Sequence, residues 1–229
     1  MAARRRTARP RAVRRSELAL APPTVFEVFK KGAQALEGIG ARYCLVGGLA
    51  RGFYVEGRTT KDVDFAVAGS SESDVDSIVF AMQRSGFLAR QFFERKGTKE
   101  LATVRFTLGD EPTKLDLLFS TSGIEELAVT NAVRREVDAE FAVPVVALPH
   151  YIAMKLIAAR PQDMNDVSLL LPRADARQRK LIGELLTLTQ DFRREKALRM
   201  WSLAQELERE YEPDFVEMKP KRRATKKSR

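Results

Sequence analysis

The sequence predicts a mixed α/β (α+β) fold, a β-sheet with flanking helices followed by a helical C-terminal part. Three observations predict it. Short apolar runs of strand length alternate with helix-spaced apolar patterns over residues 22–147. Glycine-containing breaks separate them at Gly38-Ile39-Gly40, Gly47-Gly48, Gly86 and Gly109-Asp110-Glu111-Pro112. From Pro149 onward only helical patterns remain, and no internal repeat is present.

Thr24, after Pro22-Pro23, opens the first helix, in which Val25, Phe26, Val28, Phe29, Ala33 and Leu36 recur at helical spacing. Residues 42–46 read as a buried strand, and residues 49–56 as a short helix starting at the glycine pair. Residues 63–67 are the next strand. A polar turn over 68–73 then leads into a helix over about 74–84. Residues 101–108 and 114–119 are strand-like runs joined by a hairpin connection, and 141–146 is a further short strand. Residues 150–159 and about 163–171 are helical with Pro161 between them, and 178–209 form a longer charged helical region. The expected domains are a catalytic domain over 22–147 and a helical part over 148–212, with tails at 1–21 and 213–229.

The formal charge of +9 over 229 residues is carried by the ends. Residues 1–15 hold seven arginines and residues 219–229 seven Lys or Arg, with no acid in either stretch. Between them, 26 basic residues face 31 acidic ones, a net of −5. Such tails lack apolar periodicity, are expected to be disordered, and are suited to nucleic-acid phosphates; solubility alone is the competing reading. The single cysteine, Cys44, excludes an internal disulfide and a cysteine-rich zinc site. No apolar run approaches the roughly 20 residues that span a bilayer, so a soluble, cytoplasmic protein with no membrane partner is expected.

Two carboxylates, Asp62 and Asp64, follow the glycine pair, and a third, Asp116, lies in a later apolar run. Alternation along a strand puts Asp62 and Asp64 on one face. If the strand bearing Asp116 lies beside theirs, three carboxylates meet. Unpaired charges are costly inside strands. Oxygen-only donors suit a hard divalent cation such as magnesium, and two such ions can hold both oxygens of an in-line phosphoryl displacement. Gly47 and Gly48 let backbone approach a triphosphate, whose charge a following helix start favours. A D-x-D pair or a G-G pair alone marks an ordinary turn; their joint order is far more specific.

That order, Gly47-Gly48-Leu49-Ala50, then Arg58-x-Thr60-x-Asp62-x-Asp64, then Leu115-Asp116-Leu117-Leu118, resembles the polymerase-β-like nucleotidyltransferase superfamily. Within it the chain is most similar to small bacterial nucleotidyltransferases of the AbiEii toxin type. The segment MKLIAARPQDMND over residues 154–166 resembles one that these proteins carry after the catalytic unit. The resemblance implies a nucleotidyltransferase-type mixed sheet. It implies Asp62, Asp64 and Asp116 as catalytic residues and metal ligands, with two Mg2+ ions and Mn2+ as a substitute. Gly47, Gly48, Arg58, Thr60 and Lys155 would bind the nucleotide. A nucleoside triphosphate would donate its monophosphate to an acceptor hydroxyl on RNA (a tRNA end among them), protein or a small molecule. An antitoxin partner follows from the toxin resemblance.

Other residues carry two readings each. Lys155 either meets phosphate or is a helix lysine reaching solvent along its stem. Asp163 and Asp166 fit caps or ion-pair partners better than metal ligands. Arg105 faces away from Val104 and Phe106, where it pairs with the acidic cluster, touches substrate or lies on a partly exposed sheet face. His150, the only histidine, fits a local hydrogen-bonding role. The competing functions are a catalytically silent nucleotide-binding module and a nucleic-acid binder that works through its tails.

Overall fold

A reciprocal cap starts the first helix. The Thr24 hydroxyl accepts from the Glu27 amide at 3.2 Å, and the Glu27 carboxylate accepts from the Thr24 amide at 2.6 Å. The computed structural model describes residues 24–55, 60–69, 72–94, 101–119, 123–189 and 191–210. Arg58 and the two basic tails lie outside the described residues. The chain divides between Ala147 and Leu148 into two compact units.

In the first unit the elements run α1 (Val25–Gly38), β1 (Arg42–Val46), α2 (Gly47–Arg51), β2 (Val63–Ala68), α3 (Glu72–Arg84), β3 (Phe87–Glu94), β4 (Leu101–Leu108) and β5 (Lys114–Leu118), then α4 (Glu125–Thr130), β6 (Val133–Glu136) and β7 (Ala142–Val145). Among the described residues seven strands make one mixed sheet in the order β3-β4-β5-β2-β1-β7-β6. This is the mixed α/β class expected. Strand β2 runs parallel to β5 and antiparallel to β1, so β5 is inserted between β2 and β4.

The sheet's two faces are covered differently. Helix α1 buries Val28, Phe29, Ala33 and Leu36. Phe29 stacks on Phe65 of β2 with ring centroids 6.0 Å apart and meets Phe141 edge-on at 5.3 Å. Tyr43 closes on Phe65 from β1, also edge-on, at 5.3 Å. Val63, Phe65, Leu115 and Leu117 are fully buried. On the opposite face, Arg42 of β1 hydrogen-bonds Thr130 of α4 at 2.8 Å, and buried Cys44 lies within the field of Glu125. Burial, with Glu125 adding to it, pushes the Cys44 thiol up to about 12, so it is an inert core group. Residues 64 of β2 and 116 of β5, on the Cys44 side by alternation, are only half-buried.

Three elements differ from the sequence expectation by being present at all. Strand β3 shows little alternation, because register shifts at Ala89/Gln91 and Phe93/Glu94 break its period. Strand β6 reads Val-Arg-Arg-Glu with every residue exposed, a charged sheet edge. Helix α4 has six residues, too few for a helical period to show. Helix α2 spans Gly47–Arg51 rather than 49–56.

The second unit contains α5 (Leu148–Ala158), α6 (Pro161–Leu170), a 3-10 turn over Leu171–Arg173, α7 (Ala176–Leu188) and α8 (Asp191–Glu210). The single helical region expected over 178–209 is two helices, parted after Leu188 without a glycine or proline to announce it. Arg179 of α7 holds both carboxylate oxygens of Glu208 on α8. Among the described residues no helix is long and apolar enough to cross a membrane.

Candidate active site

The site begins where β1 ends. Gly47 takes a left-handed φ of +64°, and a Cβ there would lie 2.0 Å from Oδ2 of Asp64. A Cβ on Gly48 would lie 2.6 Å from the hydroxyl of Thr60. Any side chain at either position would displace these groups, and at Gly47 the backbone itself favours glycine. Thr60 donates its hydroxyl to the Asp62 carbonyl at 3.2 Å, closing a small turn just before β2. The glycine pair, Thr60, Asp62 and Asp64 thus form one local cluster.

Register then brings in the third carboxylate. Asp64 and Asp116 are direct partners across the parallel β2–β5 pair, so both side chains leave the same face of neighbouring strands. Asp116 is also the direct antiparallel partner of Arg105 on β4. Arg105 grips Asp116 with two parallel bonds, Nε to Oδ1 at 2.8 Å and Nη2 to Oδ2 at 2.7 Å. Its Nη1 donates to the Gln91 side-chain oxygen at 3.3 Å, and its guanidinium lies 5.3 Å from the Phe93 ring centre. The hydrogen bonds to Asp116 raise the Arg105 guanidinium above its ordinary range; partial burial opposes this, and the charges of Asp116, Asp62 and Asp64 add to it. All three carboxylates therefore act on one cation.

Among the described residues no three His, Cys, Asp or Glu side chains are gathered as a ready metal cage. Asp116 turns its two oxygens to Arg105 instead. The donor chemistry nonetheless fits a hard divalent ion. The set is made of carboxylates, two of them in register, and it already holds a positive charge.

The sequence matches the family model described as nucleotidyl transferase AbiEii toxin, Type IV TA system, over residues 36–227. The chain belongs to this family. It is accordingly a nucleotidyltransferase, and the carboxylate face described above lies within the matched region. Comparison with curated proteins gives no match. Among solved structures, an antigenic nucleotidyltransferase-like protein from Paracoccidioides brasiliensis is similar at 15% identity, with 80% of this chain and 95% of that one covered and a TM-score of 0.47. ANT(2")-Ia in complex with adenylyl-2"-tobramycin is similar at 15% identity over 80% and 97% of the two chains, with a TM-score of 0.47. JHP933 from Helicobacter pylori is 14% identical over 81% and 90%, with a TM-score of 0.41.

The other sequence candidates of this AbiEii-family chain lie in its second unit. Lys155 does not reach solvent along its stem. It is buried on α5 and donates to Asp163 at 2.9 Å and to Asp166 at 2.8 Å, both on α6 and both buried. Asp163 also caps its helix, accepting from the Arg160 amide at 3.2 Å and the Arg160 Nε at 2.6 Å. Burial works to raise the Asp163 carboxyl, but the hydrogen bonds from Arg160 and Lys155 outweigh it and hold the group below the ordinary carboxylate range. His150 is buried, its imidazole pKa is lowered by that burial, and its Nδ1 has no hydrogen-bond partner among the described residues. Gln91 and Phe93 are the neighbours of Arg105 that the sequence left unmarked, because their strand was not legible.

Proposed function

We propose that this family member transfers a nucleoside monophosphate from a nucleoside triphosphate to an acceptor hydroxyl, releasing pyrophosphate. One observation supports it above the rest: Asp64 and Asp116 are register partners on parallel neighbouring strands, beside a glycine pair that admits no side chain. Asp62, Asp64 and Asp116 would hold divalent magnesium, with manganese as a substitute, and such ions supply positive charge to phosphate oxygens when bound. Asp116 would accept the proton of the attacking hydroxyl. The backbone of Gly47 and Gly48 would line the triphosphate, with Thr60 and Arg58 at the strand entrance. The chain's own contribution is positioning and charge stabilisation. Lys155 belongs to the nucleotide set only if it exchanges Asp163 or Asp166 for a phosphate oxygen.

The acceptor class we favour is RNA, on the strength of the arginine- and lysine-rich ends. A toxin role, with an antitoxin that restrains it, follows from the family. The direct test incubates purified protein with each α-labelled nucleoside triphosphate, magnesium and total RNA, with Asp62→Ala/Asp64→Ala as control. Aspartate-dependent label on RNA is expected. Label on protein would move the acceptor class. Nucleotide binding without transfer to RNA, protein or an aminoglycoside would favour a silent nucleotide-binding module. Deleting residues 1–15 and 219–229 is expected to weaken RNA labelling and leave transfer chemistry intact. Loss of growth inhibition in cells expressing Asp64→Ala, against inhibition by the parent protein, tests the toxin role.

A further inference from the structure

Arg105 engages both oxygens of the one carboxylate that reaches the acidic face from β5. We propose that Arg105 is the resident cation of this face: it holds Asp116 while no divalent ion is bound, and the ion must compete with it for that carboxylate. This rests on the reading that the three aspartates hold a divalent ion.

Geometry carries the inference. The guanidinium is fixed from three strands' worth of side chains at once, by Asp116 of β5, by Gln91 and Phe93 of β3, and by its own place on β4. The pair is largely shielded, with the Asp116 side chain only 13% exposed, so water screens it weakly. A divalent ion at Asp64 and Asp116 would meet a like charge at hydrogen-bond distance from its own ligand, which disfavours the doubly cationic state. Gln91 and Phe93 give the guanidinium a second seat. When Asp116 is drawn to the ion, the Nη1 bond to Gln91 and the aromatic contact can persist. Arg105 therefore sets a threshold: weakly held cations fail to displace it, and Asp116 stays paired until the ion, with its nucleotide, arrives. An alternative is that Arg105 merely orients Asp116 for the ion, and the two ideas differ in sign.

The test is Mn2+ binding to the full-length protein without nucleotide, read from the free-ion electron paramagnetic resonance signal. It compares the parent with Arg105→Gln, Arg105→Lys, Asp64→Asn and Asp116→Asn. Arg105→Gln is expected to bind Mn2+ about tenfold more tightly, the effect of removing one close like charge. Arg105→Lys keeps the charge without the two-oxygen grip and should bind more tightly by a smaller factor. It decides the matter alone if Arg105→Gln does not fold. Equal or weaker binding in the Arg105 variants, with binding still lost in Asp64→Asn, would overturn the resident-cation role and leave the divalent-ion reading standing. Binding indifferent to Asp64 and Asp116 in every variant would overturn both.

Discussion

This chain contains two clusters in which aspartates are answered by a basic side chain, and their surroundings separate their roles. In the first unit Asp62, Asp64 and Asp116 share a half-open sheet face with Arg105, whose side chain is 28% exposed. In the second, Lys155 meets Asp163 and Asp166 in a closed knot between α5 and α6, with side-chain exposures of 9%, 0% and 1%. Both pair a cation with carboxylates at hydrogen-bond distance. The open cluster keeps part of its cation and carboxylates in contact with solvent. In the closed one each charge is answered by a buried partner, so removing Lys155 leaves buried carboxylates without it. Exposure, more than residue type, distinguishes a group available for chemistry from one that holds helices together.

The largest effect that would sharpen this contrast is on the closed knot. Lys155→Met, close in volume, leaves two carboxylates buried and should cost about 3–5 kcal/mol of stability, read by denaturant unfolding. A variant as stable as the parent would break the comparison. By contrast, Asp64→Asn should remove transfer with a smaller stability change of about 1 kcal/mol, since the amide keeps the shape of a side chain that is only half-buried.

Gly47→Ala comes next. The left-handed backbone costs about 1–2 kcal/mol, and the new Cβ must push Asp64 aside. A displacement of about 1 Å should lower transfer roughly 100-fold. Unfolding midpoints and single-turnover rates check the two halves separately.

The third concerns pH. Because the folded Asp163 carboxyl is held below its ordinary value, its contribution is present above about pH 4 and is lost as pH falls through that value toward the folded one. Asp163→Asn should be less stable at neutral pH yet lose less stability as pH falls below about 4. The smallest effect is at Ala159, which links α5 to α6 at a φ of +48°. Ala159→Gly should raise stability by up to about 1 kcal/mol, measured by thermal unfolding.

Much of the open cluster was legible in residues alone, because strands buried on one or both faces announce themselves. Residues 42–46, 63–67, 101–108 and 114–119 are apolar runs, and Asp64 and Asp116 stand out inside them. The β2–β5 pairing was only a condition, since no local pattern fixes which strand lies beside which. Gln91 and Phe93 were hidden for a different reason. They lie on an edge strand whose register shifts erase the two-residue period. Lys155 showed the opposite problem. Its helix was plain, but whether a lysine meets solvent, phosphate or buried acids depends on α6 folding back, which spacing does not encode.

The insertion of β5 between β2 and β4 has a consequence for synthesis. Asp62 and Asp64 leave the ribosome early, at the start of a strand whose antiparallel partner β1 has already been made. Their partner arrives only with β5, after α3, β3 and β4 have been made. The acidic face is completed by a long-range parallel pairing, the slow kind of contact to form. A nascent or truncated chain that ends before Asp116 therefore carries the glycine pair and two of the three aspartates but lacks the register partner of Asp64. The order of the strands thus withholds the complete acidic face until β5 has been made, with α4, β6 and β7 still to follow in the first unit.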